Sequence, residues 1–245
     1  TLKAIMQGHG STDAIVKIQD ELADIEPHML HFMENHDEQR IASAGFAGDA
    51  RKGMPAMVVS ATIGTSPVMI YFAQELGEPA DGNPGHGSET RTTIYDYWGV
   101  PGQVKWINDG AFDGGQLEPK EKELRAFYSK LLNFTLNSRA LMGEYREIHT
   151  YNRKHTPRYN DRVFSFVRWK DEERLIIVSN FDASDSSGFE LQLPRDMVEL
   201  WNLAEGSHQL KDQLSGHNLE LIVSGITATT RVDIGPLESY ILKFE

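Results

Sequence analysis

Near Ala140 the spacing of apolar residues changes, and that switch limits what the chain can fold into. Before it, apolar positions recur every three or four residues, as on one face of a helix; after it they alternate, as on a strand packed in a sheet. The clearest helix opens at Pro119, carries a stripe of Leu124, Phe127, Tyr128, Leu131 and Leu132, and places Glu118, Glu121 and Glu123 at its electropositive start. It should end near Ser138. Alternating runs then cover 144–151, 162–169, 174–181, 189–193, 197–203, 219–223, 229–234 and 238–244, with turn signals such as Asp171-Glu172-Glu173 and 182–188 between them. That spacing predicts an antiparallel Greek-key β-sandwich over residues 141–245.

Residues 1–140 predict a different architecture. Leu2 to Gly8 read as the last turns of a helix stopped by Gly, and a chain that begins with Thr inside a helix reads as a piece of a longer protein. An amphipathic helix follows Ser11-Thr12-Asp13, with Ile15, Ile18, Leu22 and Ile25 on one face, and ends at Pro27. A short apolar strand is expected over 28–33. A helix over 54–63 should place Met54, Met57, Val58 and Ala61 on one side, with Gly64 as its cap, and a strand opens at Pro67. Strand, helix and strand in this order make a βαβ unit with parallel strands. The stretch 75–113, rich in Gly, Pro and Asp but carrying Tyr95, Tyr97, Trp98 and Trp106, is too long for an idle connection.

Composition narrows the function classes. With 40% hydrophobic residues the chain can build a core, and no apolar run reaches the ~20 residues of a membrane helix. The net charge of -12 is spread over both halves, so nucleic acid is a poor partner, and no membrane partner is expected. The absence of cysteine excludes a disulfide framework, a thiolate nucleophile and a thiolate metal site. It leaves the compartment undecided. His28 and His31, three apart on a strand, point to opposite faces and read as structural rather than metal ligands.

The densest polar cluster sits where the first strand should stop: Asn35, His36, Asp37 and Arg40 fall within six positions. Buried charges must be paired, so the cluster is either a capped loop or a site. At the C-terminal ends of parallel barrel strands an ionised Asp can stabilise developing positive charge, while Asn and His donate hydrogen bonds to hydroxyls. Phe32 to Asp37 resembles the last signature region of the α-amylase family of glycoside hydrolases, Phe-x-x-Asn-His-Asp. The likeness continues through Pro67 to Gly77, similar to that family's eighth barrel strand and following loop, although Ala73 stands where the family normally has Gly. It extends through 124–145, like the final barrel helix, and through 162–181 and Tyr240-Ile241-Leu242, like the C-terminal all-β domain.

The resemblance implies that residues 1–140 are the C-terminal portion of a (β/α)8 TIM barrel and that the parent is a retaining enzyme on α-linked glucans such as starch or maltodextrin. By position, Asp37 would be the carboxylate that stabilises the transition state and His36 would hydrogen-bond the sugar, with Asn35 beside it. Arg40 would support the site as a partner of a carboxylate or as a substrate donor. Glu89 and Arg91 resemble an acid and an arginine that hold sugars beyond the cleavage subsite, with a surface ion pair as the equal alternative. The long loop's aromatics could stack on sugars or pack against the β domain. The nucleophile and proton donor that retention needs belong to earlier strands of the family barrel, so this polypeptide alone is expected to be inactive. No cofactor is expected in this chain, and the structural calcium common in the family would be held by the parent's other portion. The expected partners are α-linked glucan and either the missing N-terminal part or a second copy, because two parallel strands leave an open edge. A bacterial secreted or periplasmic location is preferred to a cytoplasmic one. The competing readings are a non-catalytic carbohydrate-binding or interaction module and a glucan-transferring relative.

Overall fold

The computed structural model describes residues 1–81, 90–92, 94–95 and 99–245. The N-terminal region runs α1 (Leu2–Met6), α2 (Asp13–Leu22), β1 (His31–Phe32), α3 (Gly53–Thr62), β2 (Val68–Met69), α4 (Pro101–Ile107) and α5 (Pro119–Asn137). Strands β1 and β2 pair in parallel, His31 with Val68 and Phe32 with Met69, so the βαβ unit forms with α3 as its crossover. Each strand is only two residues long, and helix packing carries this region. On α5, Leu124, Tyr128 and Leu131 are buried. A capping box at its start has the Glu121 carboxylate accepting from the Glu118 N–H at 2.6 Å. Within the long stretch after β2, α4 supplies a helix that its Gly and Pro content concealed.

Helix α3 departs from the one-sided pattern. Pro55, Ala56, Met57, Val58 and Val59 are all buried, because α1, α5, β1, β5 and β10 surround the helix. An apolar helix covered all round is a core helix. Its end is not a left-handed glycine cap: Ile63 caps it in the ordinary helical conformation. Gly64 is needed instead for close approach, since a Cβ there would lie 1.6 Å from Glu26 Oε1.

The C-terminal region comprises β3 (Glu144–Glu147), α6 (His149–His155), β4 (Val163–Lys170), β5 (Glu173–Asn180), β6 (Ser187–Leu193), α7 (Arg195–Leu200), β7 (Gly206–Asp212), β8 (Asn218–Ser224), β9 (Thr227–Ile234) and β10 (Ser239–Phe244). One antiparallel sheet runs β3-β4-β5-β10-β7-β8-β9-β6, with the last strand inserted between β5 and β7. The sheet curls over its own core: Val163, Val167, Ile176 and Val178 of β4 and β5 meet Phe189, Leu191, Leu221 and Val232 of the distant strands. This is the two-layered antiparallel arrangement that the alternation predicts.

Three segments differ from expectation. The run 144–151 is a strand only to Glu147, because the Glu147 carboxylate accepts the Thr150 N–H at 2.7 Å and starts α6. The run 197–203 is mostly α7, started by Pro194, with Met197, Val198 and Trp201 facing the core. Strand β7 escapes the pattern because Leu210 is its only apolar residue and its outer positions are polar.

Strands β4 and β5 are buried on both faces. Their second set of side chains, Phe164, Phe166, Leu175 and Ile177, joins Ile5, Met57, Val59 and Leu131 in one apolar cluster that spans both regions. Arg168, 1% exposed, lies in the same seam and donates from Nη1 to the Thr62 and Gly64 carbonyls at 3.0 and 2.9 Å. Its Nη2 donates to the carbonyls of Leu141 and Gly143. Burial lowers its pKa to about 10. At the other end of the seam, Thr12 Oγ1 donates to the carbonyl of Val163, and the His149 ring lies 2.7 Å from the Asp13 carboxylate and 3.0 Å from the Tyr159 hydroxyl.

Candidate active-site loop

Beyond β1 the chain leaves the sheet in an irregular loop. Its first turn is set by Asn35, whose side-chain oxygen accepts the backbone N–H of Asp37 at 2.8 Å and of Glu38 at 2.9 Å. This local bond is the reason an Asn suits the position. It leaves His36 and Asp37 projecting together: His36 Nε2 is 3.3 Å from Asp37 Oδ2, and the side chains are 48% and 75% exposed. A carboxylate and an imidazole side by side in open solvent can meet a ligand directly.

The residues flanking the turn behave oppositely. Glu34 and Arg40 are buried and paired, with Arg40 Nη1 donating to Glu34 Oε2 at 2.7 Å. The other oxygen of Glu34 accepts the Ile41 N–H at 2.6 Å. Arg40 Nε and Nη2 both donate to Thr92 Oγ1, and its guanidinium lies 4.3 Å from the centre of the Tyr71 ring and 5.0 Å from that of Phe72. Burial raises the pKa of Glu34, and Arg40 and the Ile41 N–H oppose that shift.

After β2, Ala73 adopts the left-handed backbone with φ 61°, and Gln74 bridges the Tyr71 N–H and the Tyr128 hydroxyl. Glu78, also buried, accepts the N–H groups of Ala80 and Gly102. Burial raises the pKa of Glu75 too, against the nearby charges of Arg125 and Arg40.

Of the residues singled out in the sequence, Asn35, His36 and Asp37 are brought together on one turn, and Arg40 lies beneath it with no exposed surface. Arg91 is exposed. Glu89, Tyr97 and Trp98 lie outside the described residues. Trp106 packs edge-on against Phe112, with Arg125 over its ring, and borders a small cluster of Ala73, Leu76, Val100 and Leu117 rather than the sheet. His31 shares its Nδ1 with the Ser60 carbonyl at 3.0 Å. Among the described residues no group of three or more His, Asp or Glu side chains is placed to hold a metal ion, and no helix is long and apolar enough to cross a membrane. Sequence reasoning passed over Glu34, Tyr71 and Thr92. For Glu34 a signal existed, a carboxylate and an arginine bracketing the motif six positions apart.

Residues 154–245 match the family model of the alpha amylase C-terminal all-beta domain. Over these residues the curled sheet is similar to the α-amylase C-terminal domain. The wider fold agrees. A noncanonic maltogenic alpha-amylase, AmyB from Thermotoga neapolitana, matches over 99% of this chain and 48% of its own, at 17% identity and TM-score 0.61. An alpha-amylase from H. orenii matches over 100% and 47%, at 18% identity and TM-score 0.62. AmyP in complex with maltose matches over 99% and 48%, at 17% identity and TM-score 0.62. The chain thus spans about half the length of the solved structures it matches, and it has the fold of the last barrel units of an α-amylase followed by the all-β domain. No curated protein matches the sequence. Ala73 holds a left-handed backbone, a conformation that glycine adopts without strain and that costs a residue with a Cβ.

Proposed function

We propose that this chain provides part of the sugar-binding site of an α-amylase-like retaining glycoside hydrolase acting on α-linked glucan. The observation that carries the reading is the exposed His36 and Asp37 pair, held by the Asn35 turn at the end of a parallel barrel strand. An ionised Asp37 would stabilise the oxocarbenium-like transition state electrostatically, and His36 and Asn35 would hydrogen-bond sugar hydroxyls. Arg40 would act from beneath the loop, and Arg91, with Glu89, would meet sugar units farther along. Retention requires a carboxylate nucleophile and a proton donor. Here both would come from polypeptide outside this chain, so the chain alone releases no reducing ends.

Support comes from similar structures solved with maltose, maltotriose and acarbose. Others in the same group are glucanotransferases, which leaves transfer to a second glucan as the alternative to transfer to water. The open edge of β1 and the exposed Ile25, Leu30 and Phe32 beside it would be covered by the remaining barrel strands or by a second copy.

Maltoheptaose titrated against the purified chain tests the reading. Asp37→Ala and His36→Ala should each weaken binding about tenfold, the scale of one charge-assisted hydrogen bond. Binding indifferent to both substitutions would place glucan recognition elsewhere, and release of reducing ends by the chain alone would refute its expected inactivity.

A further inference from the structure

The loop that presents His36 and Asp37 is held at its base by groups that no sugar can reach. Glu34 and Arg40 lie at its two ends, and their side chains meet underneath it at 2.7 Å, both fully desolvated. We infer that Glu34 is a positioning residue: its pair with Arg40 closes the base of the loop and fixes where His36 and Asp37 stand. The inference rests on reading those two residues as glucan contacts.

Three observations converge on it. Both oxygens of Glu34 are used within the loop's own base, one by Arg40 and one by the Ile41 N–H, so a single carboxylate joins the residue before the turn to the two after it. Arg40 is in turn fixed from outside the loop: Thr92 Oγ1 accepts from two of its nitrogens, and the Tyr71 and Phe72 rings lie against its guanidinium. The Tyr71 hydroxyl donates to the Thr92 carbonyl, which ties the segment after β2 to the same point. The exposed turn itself is shaped by Asn35, a local bond, and its outer contact is the solvent-exposed pair of Glu38 with Lys3 at 2.6 Å, which holds direction weakly. Direction comes from the buried pair. A charged pair with several hydrogen bonds is suited to this, because its hydrogen bonds are directional and displacing one partner would strand a buried charge.

The test uses Glu34→Gln and the paired variant Glu34→Gln/Arg40→Met. The second leaves no unpaired charge and so guards against simple unfolding. Backbone hydrogen exchange is followed at Asp37 and Glu38, with Ile177 and Val178 of β5 as internal references, and maltoheptaose is titrated in parallel. In both variants the loop amides should exchange about tenfold faster relative to β5, and maltoheptaose affinity should fall about tenfold. Loop amides that keep pace with β5, or do not change, overturn the inference and leave the pair a general contributor to stability. Unaltered maltoheptaose affinity despite faster loop exchange overturns it as well. If the unsubstituted chain binds no maltoheptaose while the loop amides still accelerate selectively, the glucan reading fails and the mechanical role of Glu34 is upheld.

Discussion

Among the described residues each region of the molecule buries one arginine, and the two are stabilised by opposite means. In the N-terminal region, Arg40 meets a carboxylate, a hydroxyl and two aromatic rings beneath the loop. Arg168, on β4 in the sheet, meets four backbone carbonyls contributed by the end of α3 and the segment entering β3. The first arrangement is built from side chains and holds a loop. The second is built from main chain and holds two layers together, satisfying carbonyls that a helix end would otherwise leave without partners. The difference follows from the secondary structure around them. A region whose strands are two residues long depends on side chains and on its neighbour, whereas the eight-stranded sheet has its own ladder of hydrogen bonds.

That contrast breaks most visibly at the seam. Arg168→Leu should destabilise the protein by about 3–5 kcal/mol, since it strands buried carbonyl groups. Helix α3 and the β1–β2 pair should lose protection before β7 and β8, and hydrogen exchange read by region during denaturant unfolding measures both. Uniform loss of protection would show that the two regions fold as one unit and remove the distinction drawn above.

A smaller effect is expected from the other end of the seam. Burial holds the pKa of His149 below its usual 6.5 despite the raising effect of Asp13. Burial of Asp13 itself acts upward, but hydrogen bonds from His149, Ser11 and Arg153 outweigh it and bring its pKa to about 2. The unfolded chain therefore takes up the His149 proton first as pH falls, and stability declines below about 6.5, typically by about 1 kcal/mol per pH unit for one such group. The Asp13 contribution persists until much lower pH and is lost as pH falls from 3.8 toward 2. Denaturation midpoints between pH 7.5 and 5 should slope downward, and His149→Gln should flatten the slope.

The smallest effect lies wholly within the N-terminal region. Ala73→Gly relieves left-handed strain of about 1–2 kcal/mol, but it frees the unfolded backbone and removes a buried methyl, which together offset roughly that amount. A change of less than about 1 kcal/mol in denaturant stability is expected, with no shift in the pH slope.

The legible part of the structure was the part with uniform local signals. Helix α5 was marked by Pro119, its acidic first turn and its stripe, and β4, β5, β8, β9 and β10 by alternation within a residue or two. Helices α6 and α7 read as strands although Tyr145, Ile148 and Tyr151 fall three apart and Met197, Val198, Leu200 and Trp201 fall as on one helix face, a period the neighbouring alternating runs masked. Asn35, His36 and Asp37 could be read as a group because one turn holds them. The base of that loop could not, because Arg40 needs Thr92 and Tyr71, which the fold alone brings near.

The two-sided burial of β4 bears on how such chains can be recombined. It is a party wall, lined with Val163 and Val167 on the side of the sheet core and with Phe164, Phe166 and Arg168 on the side of the helices. A polypeptide started at residue 141 would keep the wall and lose the room behind it, with those aromatic rings facing water. Grafting the all-β domain onto another barrel would thus succeed or fail on the fit between its β4 and the host's helices, and the short join near Ala140 would matter little.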